Sequence, residues 1–142
     1  DESIPIPVLN MVGDTVARAK GMGGQKVGIL ATDGTICTET YQRECKAQGL
    51  ACAVPGEKAQ QNVMWIIYED IKSGKEPDME RFDAAANELF DAGCDYLILG
   101  CTELSLLKKG GLLDNRYLDS MEVLAEASIR ACRKTATGFE WA

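Results

Sequence analysis

Residues 97–104 read Leu-Ile-Leu-Gly-Cys-Thr-Glu-Leu, and the order of these side chains decides which fold to expect. Three aliphatic residues in a row suit a strand buried on both faces. A glycine ends the run, and a thiol, a hydroxyl and a carboxylate follow at consecutive positions. Ligands of open α/β sheets bind outside the carboxyl ends of the strands, so Cys101, Thr102 and Glu103 stand where such a sheet forms its rim. At a helix start, free backbone N–H groups are expected to lower the Cys101 pKa from its ordinary ~8.5. Each residue also has a plainer reading. Free cysteine is commonly a small buried hydrophobe, threonine caps helices, and glutamate in a first turn complements the helix dipole.

Residues 26–32, Lys-Val-Gly-Ile-Leu-Ala-Thr, form a second aliphatic run that passes into the turn signal Asp33-Gly34 and then Thr35. The two strand tips share one cleft if both strands are central. Around them, residues 4–8 are expected to be extended, because each proline biases its predecessor away from helix. Helical spacing of Leu9, Val12, Val16 and Ala19 predicts a helix stopped by Gly21, Gly23 and Gly24. A helix over 38–48 ends at Gly49, and a short strand over 50–54 closes at Pro55-Gly56. Residues 57–73 are expected as one long helix carrying Lys72, which plainly read is a solvated helix lysine. Asp78 is the expected cap of a helix that Gly93 terminates. After a strand over 96–99 comes a loop through Gly110-Gly111 and Asn115, then an amphipathic helix over 120–134. Short strands alternating with helices of ten or more residues imply an α/β fold. Its expected core is an open parallel sheet with helices on both faces, since parallel neighbours need crossovers.

The 142 residues suffice for one core. With 46% apolar and 26% charged residues the composition is that of an ordinary globular protein. A formal net charge of −7 argues against nucleic acid or an anionic bilayer as partner. No apolar run approaches the ~18 residues of a membrane span and no signal peptide is visible, so a cytoplasmic location is expected. The cysteines, at positions 37, 45, 52, 94, 101 and 132, include no C-x-x-C pair, and the aliphatic content makes disulfide staples unnecessary. The absence of histidine excludes Ser-His-Asp triads, Cys-His dyads and histidine zinc sites within this chain. A working cysteine must be activated by something other than imidazole.

Three segments then carry a family likeness. GCTEL after its aliphatic strand, KVGILATDGTICTETY, and the helix text VMWIIYEDIKSGK resemble, in order, the aspartate/glutamate racemase superfamily, and within it the aspartate racemase branch. The resemblance implies two similar α/β domains, each giving one cysteine to a cleft between them, and cofactor-independent proton exchange at the α-carbon of an amino acid. It implies that Cys101 is the second-domain acid/base cysteine. Thr35 and Thr102 match positions that hold the substrate α-carboxylate, and Lys72 matches a lysine meeting the distal carboxylate. Glu103 stands where the glutamate branch has histidine, and is counted with the substrate-binding residues.

The family's first-domain Cys-Asn-Thr motif is absent from this sequence, and the chain begins with Asp. It is therefore expected to be a second-domain fragment that folds without racemising aspartate alone: residues 1–25 an inter-domain segment, 26–118 the domain bearing Cys101, and 119–142 a helix returning toward a missing N-terminal domain. Self-association into a homo-oligomer is left open. Related hydantoin racemases, maleate isomerases and arylmalonate decarboxylases are alternatives within the enzymes. A small-ligand-binding α/β domain without catalysis is an alternative outside them.

Overall fold

A computed structural model describes the backbone of residues 6–121 and 123 and the side chains of residues 12–121 and 123. The chain runs α1 (Ile6–Gly21), β1 (Lys26–Leu30), α2 (Asp33–Cys37), α3 (Thr40–Gln48), β2 (Ala51–Ala53) and α4 (Glu57–Trp65). A π-helical segment (Ile66–Ile71) continues α4, followed by α5 (Met79–Asp91), β3 (Tyr96–Leu99), α6 (Thr102–Lys109) and β4 (Tyr117–Asp119). The four strands pair in parallel in the order β2-β1-β3-β4, the open parallel α/β sheet expected. From β1 the chain crosses to one side of the sheet and from β3 to the other. The switch point lies between these two central strands, where Leu30 pairs with Leu99.

Side-chain alternation along the strands divides the core into two layers. On one face Leu30, Leu97, Leu99 and Tyr117 pack with Val63, Ile66 and Ile67, with Phe82, Ala85, Ala86 and Leu89 of α5, and with Leu104 and Leu107 of α6. On the other, Val27, Ile29, Ala31, Ile98 and Leu118 pack with Val16 and Ala19 of α1 and Tyr41 and Cys45 of α3. Gly28 lets α5 approach the sheet: a Cβ there would stand 2.6 Å from Leu97 Cδ2 and 2.8 Å from Leu89 Cδ1.

Several expectations are corrected. Residues 6–8 are helical rather than extended, since Pro7 falls in the first turn of α1, where a missing N–H costs nothing. The helix expected over 38–48 is α3, beginning at Thr40, while a short helix, α2, stands where only a turn was expected at Asp33-Gly34, and the two are separated at Glu39, which turns left-handed at φ 59°. The helix start expected at Cys101 opens α6, and the loop expected through Gly110-Gly111 and Asn115 leads into an unexpected strand, β4, only three residues long and held by pairing with β3. The 57–73 helix widens to a π-helix over its last part. Asp78 does cap α5, accepting from the N–H groups of Glu80 and Arg81. The helix expected over 120–134 lies outside the described residues except for its helical start at Ser120, Met121 and Val123.

Candidate active site

Strand β3 ends at Leu99, and Gly100 donates its N–H to Leu30 O at 2.8 Å, which keeps the two central strands together to their tips. A Cβ at Gly100 would meet Ala31 Cβ and Tyr41 Cε2, both at 3.1 Å, so the Tyr41 ring lies directly behind the turn. Cys101 follows with extended backbone as the N-cap of α6. Its side chain is half-buried and packs at the edge of the α4–α5–α6 core layer.

The electrostatics of this sulfur differ from the sequence expectation. Burial raises the Cys101 pKa. The Leu104 N–H opposes it, the Glu103 carboxylate adds to the rise, and the Glu103 N–H opposes again; the net direction is upward. The helix start does act on the thiol in the expected sense, but desolvation outweighs it. At neutral pH Cys101 is held as the thiol.

Glu103 is held below the usual carboxylate range. Burial pushes it up, but its own N–H, the Lys72 charge and the Thr102 hydroxyl together outweigh that push. The Thr102 hydroxyl donates to Glu103 Oε1 at 3.2 Å, and Lys72 Nζ lies 3.6 Å from Glu103 Oε2. Lys72 also rests over the Tyr68 ring at 4.9 Å. The π-helix before it displaces following residues relative to an uninterrupted α-helix. Buried Asp70 then fixes the segment's end, its Oδ2 accepting from the Asp78 N–H at 2.8 Å and its carbonyl from Lys75 N–H at 2.8 Å.

Thr35 belongs to the neighbouring tip. Thr32 caps α2, its hydroxyl 3.3 Å from that of Thr35 and 3.4 Å from the Thr35 N–H. The fold thus joins Cys101, Thr102, Glu103 and Lys72 as one contacting group, with Thr35 on the adjoining strand end at the switch point. A cavity of about 400 Å³ lies beside the same β1 tip, lined by Asp33, Glu57, Gln60, Gln61 and Met64. None of the expected site residues lines it.

Sequence reasoning missed the layer beneath. Asp119, buried at the end of β4, accepts from Ser105 Oγ at 2.5 Å and from the Met121 N–H at 3.0 Å. Ser105 Oγ lies 3.3 Å from the Cys101 carbonyl. Tyr41 Oη and Ser120 Oγ are 2.7 Å apart. These groups are scattered through the sequence, and no local pattern announces their meeting. Among the described residues no group of three or more His, Cys, Asp or Glu is arranged to hold a metal ion, and no helix is long and apolar enough to cross a membrane.

A thiol at the switch point, a cation paired to the glutamate two residues after it and hydroxyls on both strand tips agree with what comparison with known proteins finds. The sequence pattern described as Asp/Glu/hydantoin racemase matches residues 1–128. The chain belongs to this racemase family. A glutamate racemase of Levilactobacillus brevis is 26% identical over 117 residues, covering 75% of this chain and 38% of that protein. An uncharacterised protein from the pnlA 3′ region of Pectobacterium carotovorum is 26% identical over 124 residues, 86% of this chain and 83% of its own. Among solved structures, an aspartate racemase homologue from Pyrococcus horikoshii superposes with a TM-score of 0.75 at 25% identity, over 85% of this chain and 54% of that one. The aspartate racemase of Picrophilus torridus gives 0.68 at 24% identity, over 85% and 51%, a likeness of fold. This racemase-family chain therefore spans about half the length of the solved structures it matches.

Proposed function

We propose that the full-length protein carrying this chain is an amino-acid racemase of the aspartate type, working without pyridoxal phosphate, in which Cys101 is one of two acid/base thiols. The observation that carries the reading is the position of Cys101. It crowns a central strand at the switch point of a parallel sheet and heads an eight-residue helix, with Lys72 paired to the adjoining Glu103.

Racemisation removes the α-proton from one face of the substrate and returns a proton to the other. One sulfur cannot serve both faces, so the second thiol comes from a part of the protein outside this chain. The neutral thiol state of Cys101 suits the donor role: as the opposite thiolate takes the α-proton, Cys101 delivers its own. Thr35, Thr102 and the first N–H groups of α6 face the α-carboxylate. There they stabilise the negative charge that develops when the Cα–H bond breaks, and removing one such donor typically costs ~3 kcal/mol. Lys72 meets the distal carboxylate, which is what favours a dicarboxylic amino acid over a neutral one.

The test is deuterium entry at Cα of aspartate in D2O. Replacing Cys101 with Ala is expected to slow racemisation by about 10²–10⁴-fold, with exchange surviving for at most the enantiomer served by the other thiol. Undiminished exchange of both enantiomers in the variant would overturn the assignment.

A further inference from the structure

The contacts of Lys72 and Glu103 are unequal. Lys72 is the freer partner: its side chain is 46% exposed against 25% for Glu103, and a pair this open to water is weak and exchangeable. Its other contact is the Tyr68 ring, whose centre lies 4.9 Å from Nζ, so the ammonium has a second resting place besides Glu103. Glu103 is tied down independently of Lys72, by the Thr102 hydroxyl and by its own N–H at the start of α6. If the ion pair opens, the cation moves and the carboxylate stays beside the sulfur.

We infer that Lys72 changes partners when a ligand binds: a ligand's second carboxylate draws it from Glu103, leaving an uncompensated carboxylate beside Cys101 that holds this sulfur as the neutral, proton-donating thiol. The inference rests on the racemase reading for the identity of the ligand alone. The Lys72–Glu103 pairing and the action of Glu103 on the sulfur belong to the chain's own geometry.

The groups facing Cys101 make Lys72 the variable charge. Glu103 acts on it from α6, raising its pKa. From α3, Tyr41 titrates above its ordinary value, chiefly through burial, and is neutral at physiological pH. From the end of β4, Asp119 is fixed by Ser105 and the Met121 N–H. Only Lys72 stands at the solvent boundary on a weak pair. A ligand with one carboxylate has nothing to offer it, so dicarboxylates are selected twice, once in binding and once in setting the proton on Cys101.

Alkylation of Cys101 by iodoacetamide on the full-length protein, followed across pH by mass spectrometry of its peptide, reads the sulfur without requiring turnover. Glu103→Gln is expected to move the midpoint to lower pH and speed the reaction several-fold at neutrality, and Lys72→Met to move it higher. Lys72→Arg restores the original profile, and in the Glu103→Gln background Lys72→Met moves it much less. Succinate reproduces the upward shift of Lys72→Met, while butyrate leaves the profile in place. Identical midpoints in the parent and both single variants would overturn the inference, as would calorimetric binding of succinate with no midpoint change. If the variants shift but succinate does not bind, the exchange fails together with the dicarboxylate substrate. Deuterium exchange at Cα then decides separately whether a racemase reading survives.

Discussion

Cys45 and Cys101 sit on the same sheet in regions of different character. Cys45 has no exposed surface and lies between α3 and the strands, inside the layer that contains Val16, Ile29 and Tyr41. Cys101 is half-buried at the carboxyl rim and heads a helix. Burial raises the pKa of both. At Cys45 the neighbouring Cys52 thiol and Glu44 push the same way, and the thiol is driven up to about 12. At Cys101 the N–H groups of Leu104 and Glu103 push back. The difference teaches that burial makes a cysteine inert unless the backbone supplies donors to offset it, and a strand-to-helix turn is a place in an α/β sheet that supplies them.

The largest expected effect that sharpens this contrast is on alkaline stability. A thiol whose folded pKa lies above its ordinary value near 9 contributes stability that is fully present below that value and lost as pH rises toward about 12. Across those three units the linkage amounts to about 3–4 kcal/mol as an upper bound. Urea unfolding from about pH 8 to about pH 11 should therefore show a steep fall in stability that flattens in Cys45→Ala. Cys101→Ala should flatten it less. An unchanged alkaline slope in Cys45→Ala would mean that the two sulfurs do not differ as described.

The next effect separates the two sites kinetically. Cys45 meets an alkylating reagent only when its layer opens, whereas Cys101 is accessible at the rim. Gly28→Ala forces a methyl group against Leu97 and Leu89, both buried, and should cost about 1–3 kcal/mol. Every 1.4 kcal/mol lost should make Cys45 alkylation about tenfold faster, in proportion to the open population. Cys101 alkylation should hardly change. Equal acceleration at both cysteines would show that the rim opens only with the core.

What the sequence made legible follows the range of the interactions involved. The strands over 26–30 and 96–99 are continuous aliphatic runs, and the pattern is in the residues themselves. β4 is three residues after a turn held by Asp114 and Arg116, and only its pairing with Leu97, Ile98 and Leu99 makes it a strand. Cys101, Thr102 and Glu103 are contiguous, so their common position could be read directly. Their ion-pair partner Lys72 is thirty-one residues from Glu103 and is legible only through family likeness; the π-helix that ends just before it has no signature in its residues. The direction of the Cys101 pKa is not legible in the sequence because the donors at a helix start are local, while the desolvation that outweighs them follows from burial against the core layer that Cys101 packs on.

Tyr41 gives the smallest effect and joins the two regions. Its ring packs behind Gly100 and shares a core layer with Cys45, and its hydroxyl pairs with Ser120 in the interior. Tyr41→Phe keeps the ring and removes the hydrogen bond, which should cost about 1 kcal/mol and speed Cys45 alkylation accordingly. Burial holds the phenol's pKa above its ordinary value, so it brings no charge toward Cys101 at neutral pH. Its loss should therefore leave the pH midpoint of Cys101 alkylation where it was. A shift in that midpoint would mean that the ring's hydroxyl positions the turn at Gly100, and that the rim and the α1–α3 layer are one mechanical unit rather than two.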